Sequence, residues 1–87
     1  MNNHSAKRRI GFIGILVNEP EKSYNTLNDI LHQHASIIVG RLGIPYQERN
    51  LSIISLVVDG DNDEIGALTG KIGQLSGVTV KSAFAKL

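Results

Sequence analysis

The stretch Leu51-Ser52-Ile53-Ile54-Ser55-Leu56-Val57-Val58 decides the fold, because it is the clearest β-strand in the chain. The run is short, rich in β-branched residues and bounded by turn-forming residues, as strands are. Its apolar side chains fall on both faces: Leu51, Ile53 and Val57 alternate with Ile54, Leu56 and Val58. A strand that is apolar on both faces is typical of a sheet covered on both sides.

Two further strands and a helix are predicted before this stretch. Residues 9–17 form an apolar run with alternating sets on two faces, Ile10, Phe12 and Leu16 against Ile13, Ile15 and Val17. Pro20 favours a helix start, and apolar residues then recur at helical spacing to about residue 34. Residues 37–42 predict the next strand, and Gly43-Ile44-Pro45-Tyr46 interrupts it. An antiparallel hairpin with an eight-residue connection is the simplest pairing with residues 51–58.

A second helix and a last strand are predicted after the stretch. The acidic residues of segment 59–64 suit the capping of a helix N-terminus. Ile65, Leu68, Ile72 and Leu75 then follow one side of a helix that ends at Ser76-Gly77. Residues 78–84 predict the last strand.

The order βαββαβ predicts an α+β, ferredoxin-like fold, in which a four-stranded antiparallel sheet carries two helices on one face. The 87 residues suffice for a single domain, which we place at residues 9–87 behind a flexible arm at residues 1–8. A chain this short is marginally stable without disulfides, metals or oligomerisation. It contains no cysteine, so oligomerisation is the expected supplement.

Two helices cannot cover both faces of the sheet, and the surplus apolar face predicts an interaction surface. We expect another copy of the chain to cover it, face to face or edge to edge, in a dimer or tetramer. The predicted contact residues on the strands are Ile13, Ile15, Val17, Leu51, Ile53 and Val57.

A cluster of glycines on the second helix predicts a further contact. Gly66, Gly70 and Gly73 lie within about 60° of one another around a helix and away from its apolar stripe. Three helical glycines cost roughly 2 to 3 kcal/mol against alanine, and close approach of another element is the common reason for them. The neighbour is a helix, another subunit or a ligand, and a protein neighbour is favoured.

Composition excludes several functional classes. A net charge of +1 predicts no long-range attraction to nucleic acid or anionic lipid. No apolar run approaches the roughly 20 residues that span a bilayer, and no signal peptide is visible. We therefore expect a cytoplasmic protein.

No motif for catalysis or metal binding is complete. The acidic run Asp59, Asp61 and Asp63 begins like a calcium loop, but the required glycine and glutamate are missing further along, so helix capping is favoured. His34 is a weak metal candidate near the end of the first helix; the favoured alternative is a partly buried histidine there. No histidine is visibly paired with a nucleophile, so we expect neither an enzyme nor a cofactor.

The segment Asn62-Asp63-Glu64-Ile65-Gly66-Ala67-Leu68-Thr69-Gly70-Lys71-Ile72-Gly73-Gln74-Leu75-Ser76-Gly77-Val78 resembles the signature of the small iron-only hydrogenase system regulators. Residues 41–46, Arg-Leu-Gly-Ile-Pro-Tyr, are similar to the same family. The resemblance covers roughly residues 9–87, and the glycine-rich helix is its specific part.

The resemblance implies an ACT-like ferredoxin fold, similar to the C-terminal regulatory domain of the nickel-responsive repressor. Domains of that kind pair their sheets and often bind an effector at the first strand-to-helix turn, here Asn18, Glu19 and Pro20. The repressor's nickel site includes a cysteine that this chain lacks, so the resemblance implies no nickel site. The few residues before Arg9 cannot form the repressor's DNA-binding domain, and we expect no direct nucleic-acid binding.

Three functional hypotheses follow. The leading one is a homo-oligomeric regulatory module, related to transcription, that acts in an iron-only hydrogenase system through a small effector or a protein partner. The second is a metal or small-molecule sensor domain. The third is an accessory factor for hydrogenase maturation.

Overall fold

The computed structural model describes residues 7–86, apart from the side chain of Glu21. Most of the predicted arm lies outside these residues; of its members, only Lys7 and Arg8 are described. The strands are β1 (Arg9–Asn18), β2 (Ile38–Tyr46), β3 (Leu51–Gly60) and β4 (Val78–Phe84), and the helices are α1 (Pro20–Gln33) and α2 (Asn62–Gly73). Short 3-10 turns at Ala35–Ile37 and Gln47–Arg49 flank β2.

The four strands form one antiparallel sheet in the order β2-β3-β1-β4. The register places Gly14 of β1 opposite Ser55 of β3 and Lys81 of β4. This topology confirms the predicted ferredoxin-like βαββαβ fold with two helices on one face of the sheet. The two central strands are those with apolar residues on both faces.

The core lies between the two helices and one face of the sheet. Helix α1 contributes Leu27, Ile30 and Leu31, and helix α2 contributes the predicted stripe residues Ile65, Leu68 and Ile72. The sheet contributes Ile13, Ile15, Val17, Ile54, Leu56 and Val58. Ser23 joins the first turn of α1 to the α2–β4 connection, where its hydroxyl donates to the Ser76 carbonyl oxygen at 2.9 Å.

Three of the predicted contact residues belong to this core. Ile13, Ile15 and Val17 are only 2%, 1% and 0% exposed, because the helices pack against their face of β1. Their assignment to an interface between copies is therefore wrong. The alternation of β1 gave two apolar faces, and the face turned away from the helices is the one with Phe12 and Leu16.

Strand β2 is longer than predicted. It continues through Gly43 and Pro45 to Tyr46, and only residues 47–50 connect it to β3. A proline is tolerated on an edge strand, where its missing N–H removes no essential sheet bond. Asn50 closes the turn in the left-handed conformation, with φ of 50°.

The acidic segment before α2 caps the helix, as predicted. The Asp61 carboxylate accepts from the Glu64 backbone N–H at 2.7 Å, and the Glu64 carboxylate accepts from the Asp61 N–H at 2.9 Å. This reciprocal pair is a capping box, which satisfies two donors that the first turn leaves free. After the helix, Gly77 takes a φ of 74° that other residues rarely adopt.

Two basic residues, Arg8 just before β1 and Arg9 at its first position, contact neighbouring elements of the fold. Arg8 forms an ion pair with Asp59 at 3.2 Å, and the Arg9 guanidinium lies 4.0 Å from the centre of the Phe84 ring. Arg9 also donates to the Asn62 side chain. Within residues 7–86, neither helix is long and apolar enough to cross a bilayer.

Candidate functional site

The side of the sheet turned away from the helices is an apolar surface, here called the free face. Cross-strand partners share a face of a sheet, so the register defines its members. They are Gly40, Leu42, Ile44 and Tyr46 of β2, Leu51, Ile53, Ser55, Val57 and Asp59 of β3, Ile10, Phe12, Gly14, Leu16 and Asn18 of β1, and Thr79, Lys81 and Ala83 of β4.

Large apolar side chains on the free face are open to solvent. Phe12 is 49% exposed and Leu16 is 41% exposed, although both lie on a central strand. Four more exposed apolar residues of this face are Leu42, Ile44, Tyr46 and Val57. Leu51 and Ile53 are half-buried. Contiguous exposed apolar surface is typical of interaction sites.

The predicted contact residues of β3 lie on the side of the sheet turned away from the helices. Leu51, Ile53 and Val57 are on the free face, together with Phe12 and Leu16, which the sequence reasoning left out of the contact. The omission arose because sequence alternation separates the two faces of β1 but does not say which one the helices cover.

The outer edge of β2 is less suited to association than the free face. The strand carries a register shift between Ile38 and Gly40, and Pro45 lacks an N–H to donate. Bulges and prolines on an edge strand discourage pairing with another chain. Edge-to-edge pairing through β2 is therefore disfavoured.

A cavity of about 470 Å³ opens at the sheet end near the β1–α1 turn, between α1 and the ends of β2 and β3. Its lining residues are Pro20, Tyr24, Gly43, Ile44, Pro45, Gln47, Asn50, Leu51, Ser52 and Ile54. The volume lies in the range of small-molecule sites, and apolar walls with a few polar groups are typical of them. None of these lining residues has a charged side chain, which disfavours an ionic group inside it.

The three predicted effector residues, Asn18, Glu19 and Pro20, have different environments in the structure, and only Pro20 lines the cavity. Asn18 uses its backbone N–H to donate to the Gly77 carbonyl oxygen at 2.8 Å. Glu19 has a left-handed backbone, with φ of 50°, and its carboxylate pairs with the Lys22 ammonium at 3.1 Å.

The remaining lining residues were missed by the sequence reasoning. Helical spacing places Tyr24 among the recurring apolar residues after Pro20, and Pro45, Gln47 and Asn50 fall in the predicted strand break and hairpin connection. Only the pairing of β2 with β3 brings the turn at residues 47–50 beside the first turn of α1. No local sequence signal predicts this cavity.

His34 lies at the C-terminus of α1, where the partly buried histidine was predicted. Its Nε2 atom is buried and has no hydrogen-bond partner among the described residues. His34 shares a smaller cavity, about 330 Å³, with Asp63 and Glu64. Across residues 7–86, no group of three histidine or acidic side chains is placed to hold a metal ion.

The glycines of α2 face open space rather than a tightly packed neighbour. A Cβ at Gly66 or Gly70 meets nothing within 4 Å, and one at Gly73 lies 3.5 Å from Val80, an ordinary contact. Within the described part of the chain, no element approaches Gly66 or Gly70 closely enough to require glycine.

Comparison with known proteins gives the family. The model of the TM1266-like family, described as "Iron-only hydrogenase system regulator, putative", matches residues 9–82. Uncharacterized protein TM1266 from Thermotoga maritima has a solved structure that is 45% identical, with a TM-score of 0.89 over 92% of this chain and 100% of that one.

A second solved structure shares the fold alone. It is the C-terminal domain of the MgtC protein from Mycobacterium tuberculosis, 11% identical, with a TM-score of 0.65 over 98% of this chain and 94% of that one. No curated protein matches the chain. The family match covers most of the chain and agrees with the fold and with the glycine-rich α2 segment: this chain belongs to the TM1266-like family of iron-only hydrogenase system regulators.

Proposed function

We propose that the chain is a homo-oligomeric regulatory module of an iron-only hydrogenase system and not an enzyme. The observation that carries this proposal is the free face, with Phe12 and Leu16 exposed on a central strand. Burial of apolar surface contributes about 25 cal/mol per Å² to stability. A small domain that leaves this face exposed forgoes that contribution, and a partner that covers the face supplies it. The family match supplies the system in which the module acts.

Self-association is the simplest way to cover the free face. The charged side chains of this face are peripheral: Lys81 lies on the edge strand β4, and Asp59, near the end of β3, is paired with Arg8. The face therefore calls for an apolar partner and not an oppositely charged one. A second copy offers the same apolar surface, and two-fold symmetry covers the free faces of both copies at once.

The function is tested in a host that contains an iron-only hydrogenase. Deletion of the gene is expected to change hydrogenase transcript level or activity, and the wild-type chain is expected to restore it. Leu16→Lys places a charge on the free face without touching the core and is expected not to restore it. Thr26→Lys adds the same charge on an exposed position of α1 and serves as the control. Equal rescue by both variants would contradict a role for the free face.

A small effector is the second part of the proposal, and the 470 Å³ cavity supports it. Because its lining side chains are uncharged, the effector group that enters it is expected to be uncharged as well. Tyr24 and Pro20 offer flat apolar surfaces, and the amides of Gln47 and Asn50 offer hydrogen bonds.

Calorimetric titration with nucleobases and with amino acids tests the effector. Heat is expected from uncharged planar compounds and not from zwitterionic amino acids. Tyr24→Ala is expected to abolish that heat, whereas Asn25→Ala, on the next residue of α1 and outside the cavity lining, should leave it unchanged. Absence of heat from every compound would remove the cavity from the proposal and leave self-association standing.

A further inference from the structure

The middle of the free face has a notch between two ridges. One row across the sheet reads Leu42, Ser55, Gly14 and Lys81, so its two central positions are small. The neighbouring rows place Phe12 beside Val57 on one side and Leu16 beside Ile53 on the other. A Cβ at Gly14 meets nothing within 4 Å, so the notch is open.

Phe12 is the most prominent knob next to the notch. Phe12 and Leu16 are about 13 Å apart along β1, and Gly14 lies halfway between them. The Phe12 row ends in Ala83 on β4 and Gly40 on β2, which are both small, so the ring stands above its neighbours. It is also the more exposed of the two side chains.

We propose that two copies pack their free faces together so that Phe12 of each copy fills the Gly14 notch of the other. This inference rests on the proposed self-association and adds its geometry. A two-fold axis that crosses the strands between the Phe12 and Gly14 rows exchanges knob and notch, so both notches are filled by one operation. Packed sheets lie about 10 Å apart, with the side chains of the two faces interdigitated.

The size of the face is sufficient for a stable pair. Four strands at about 4.8 Å spacing and nine residues at about 3.3 Å rise give a footprint of roughly 570 Å² per copy. Two copies then bury about 1,100 Å² in all, which exceeds the 1,000 Å² or so that a specific interface needs. The central strands β1 and β3 carry no charged side chain in these three rows, and Lys81 lies on the edge strand β4, where its ammonium group can stay at the rim of the contact.

Gly14→Val tests the notch directly, because it fills the space without harming the monomer. Valine suits a strand better than glycine does, and its Cβ has room in the single chain. The matched control is Gly43→Val, a strand glycine whose Cβ is equally free but which pairs with the core residue Ile54 and so lies on the helix side of the sheet. Gly43 also lines the effector cavity, so both variants are compared with no small molecule added. Sedimentation velocity over a concentration series gives the dimer dissociation constant, and circular dichroism checks folding.

Gly14→Val is expected to raise the dissociation constant at least about fivefold, because overpacking a fitted contact costs about 1 kcal/mol or more. Gly43→Val is expected to leave it unchanged, and Phe12→Ala, which keeps the notch but removes the knob, is expected to raise it. If the wild type associates and Gly14→Val associates as strongly, or if Gly43→Val weakens association equally, the interlocked geometry is wrong while the proposed function stands. A wild type that stays monomeric overturns both.

Discussion

Replacing Asp61 by alanine removes the capping box of α2 and tests the role of the acidic segment. The substitution removes the 2.7 Å hydrogen bond from the Glu64 N–H to the Asp61 carboxylate. It also weakens the reciprocal hydrogen bond from the residue 61 N–H to the Glu64 carboxylate. Loss of an N-terminal cap costs about 1 kcal/mol, with a range of roughly 0.5 to 2. For a domain of this size, about 1 kcal/mol corresponds to roughly 4–8 °C in the midpoint of thermal unfolding.

The assay is thermal unfolding followed by circular dichroism at one fixed protein concentration, because association makes the midpoint depend on concentration. Asp63→Ala is the control, since Asp63 lies in the first turn of the helix while the box bonds belong to Asp61 and Glu64. It is expected to lose only a dipole interaction, about 0.3 to 0.5 kcal/mol. Adding Ca²⁺ is expected to leave the unfolding midpoints of the unmodified chain and of both variants unchanged. Equal losses in both variants, or a midpoint raised by Ca²⁺, would refute the capping interpretation.

Three other substitutions separate the core, the turn and the glycine-rich helix. Leu68→Ala empties a fully buried position and is expected to lower the free energy of unfolding by about 2 to 5 kcal/mol in urea; a loss below 1 kcal/mol would contradict the assigned core. Gly77→Ala forces a side chain into a φ of 74° with its Cβ 3.3 Å from the Asn18 carbonyl oxygen, and should cost about 1 to 2 kcal/mol in the same assay. A neutral result would contradict that turn. Gly70→Ala has open space and should raise stability by up to about 1 kcal/mol. A loss of assembly mass instead would reveal a second contact on α2.

The fold was predictable because local signals agreed with one another. The start of α1 at Pro20, the capping segment of residues 59–64, the α2 stripe and the strand of residues 51–58 all follow from spacing and capping. The extent of β2 was not predictable in this way. Gly43 and Pro45 carry turn signals, and the pairing with β3 overrides them because an edge strand tolerates both.

The candidate site was only partly predictable for a similar reason. An apolar surplus on β1 and β3 follows from the sequence, but the face that the helices cover depends on how α1 and α2 pack. Ile13 was predicted as a contact residue but is buried in the core, whereas Phe12 was left out of the contact but is exposed on the free face. The cavity beside Pro20 depends on residues that are distant in sequence, such as Tyr24 and Asn50, and only the fold brings them together.

Sedimentation equilibrium of the unmodified chain tests the central claim most directly, because the proposed homo-oligomeric module depends on covering the free face. One chain has a mass of 9.4 kDa. At tens of micromolar the weight-average mass is expected to reach at least twice that value and to fall on dilution. A mass that stays at 9.4 kDa over the whole concentration range would contradict self-association through the free face.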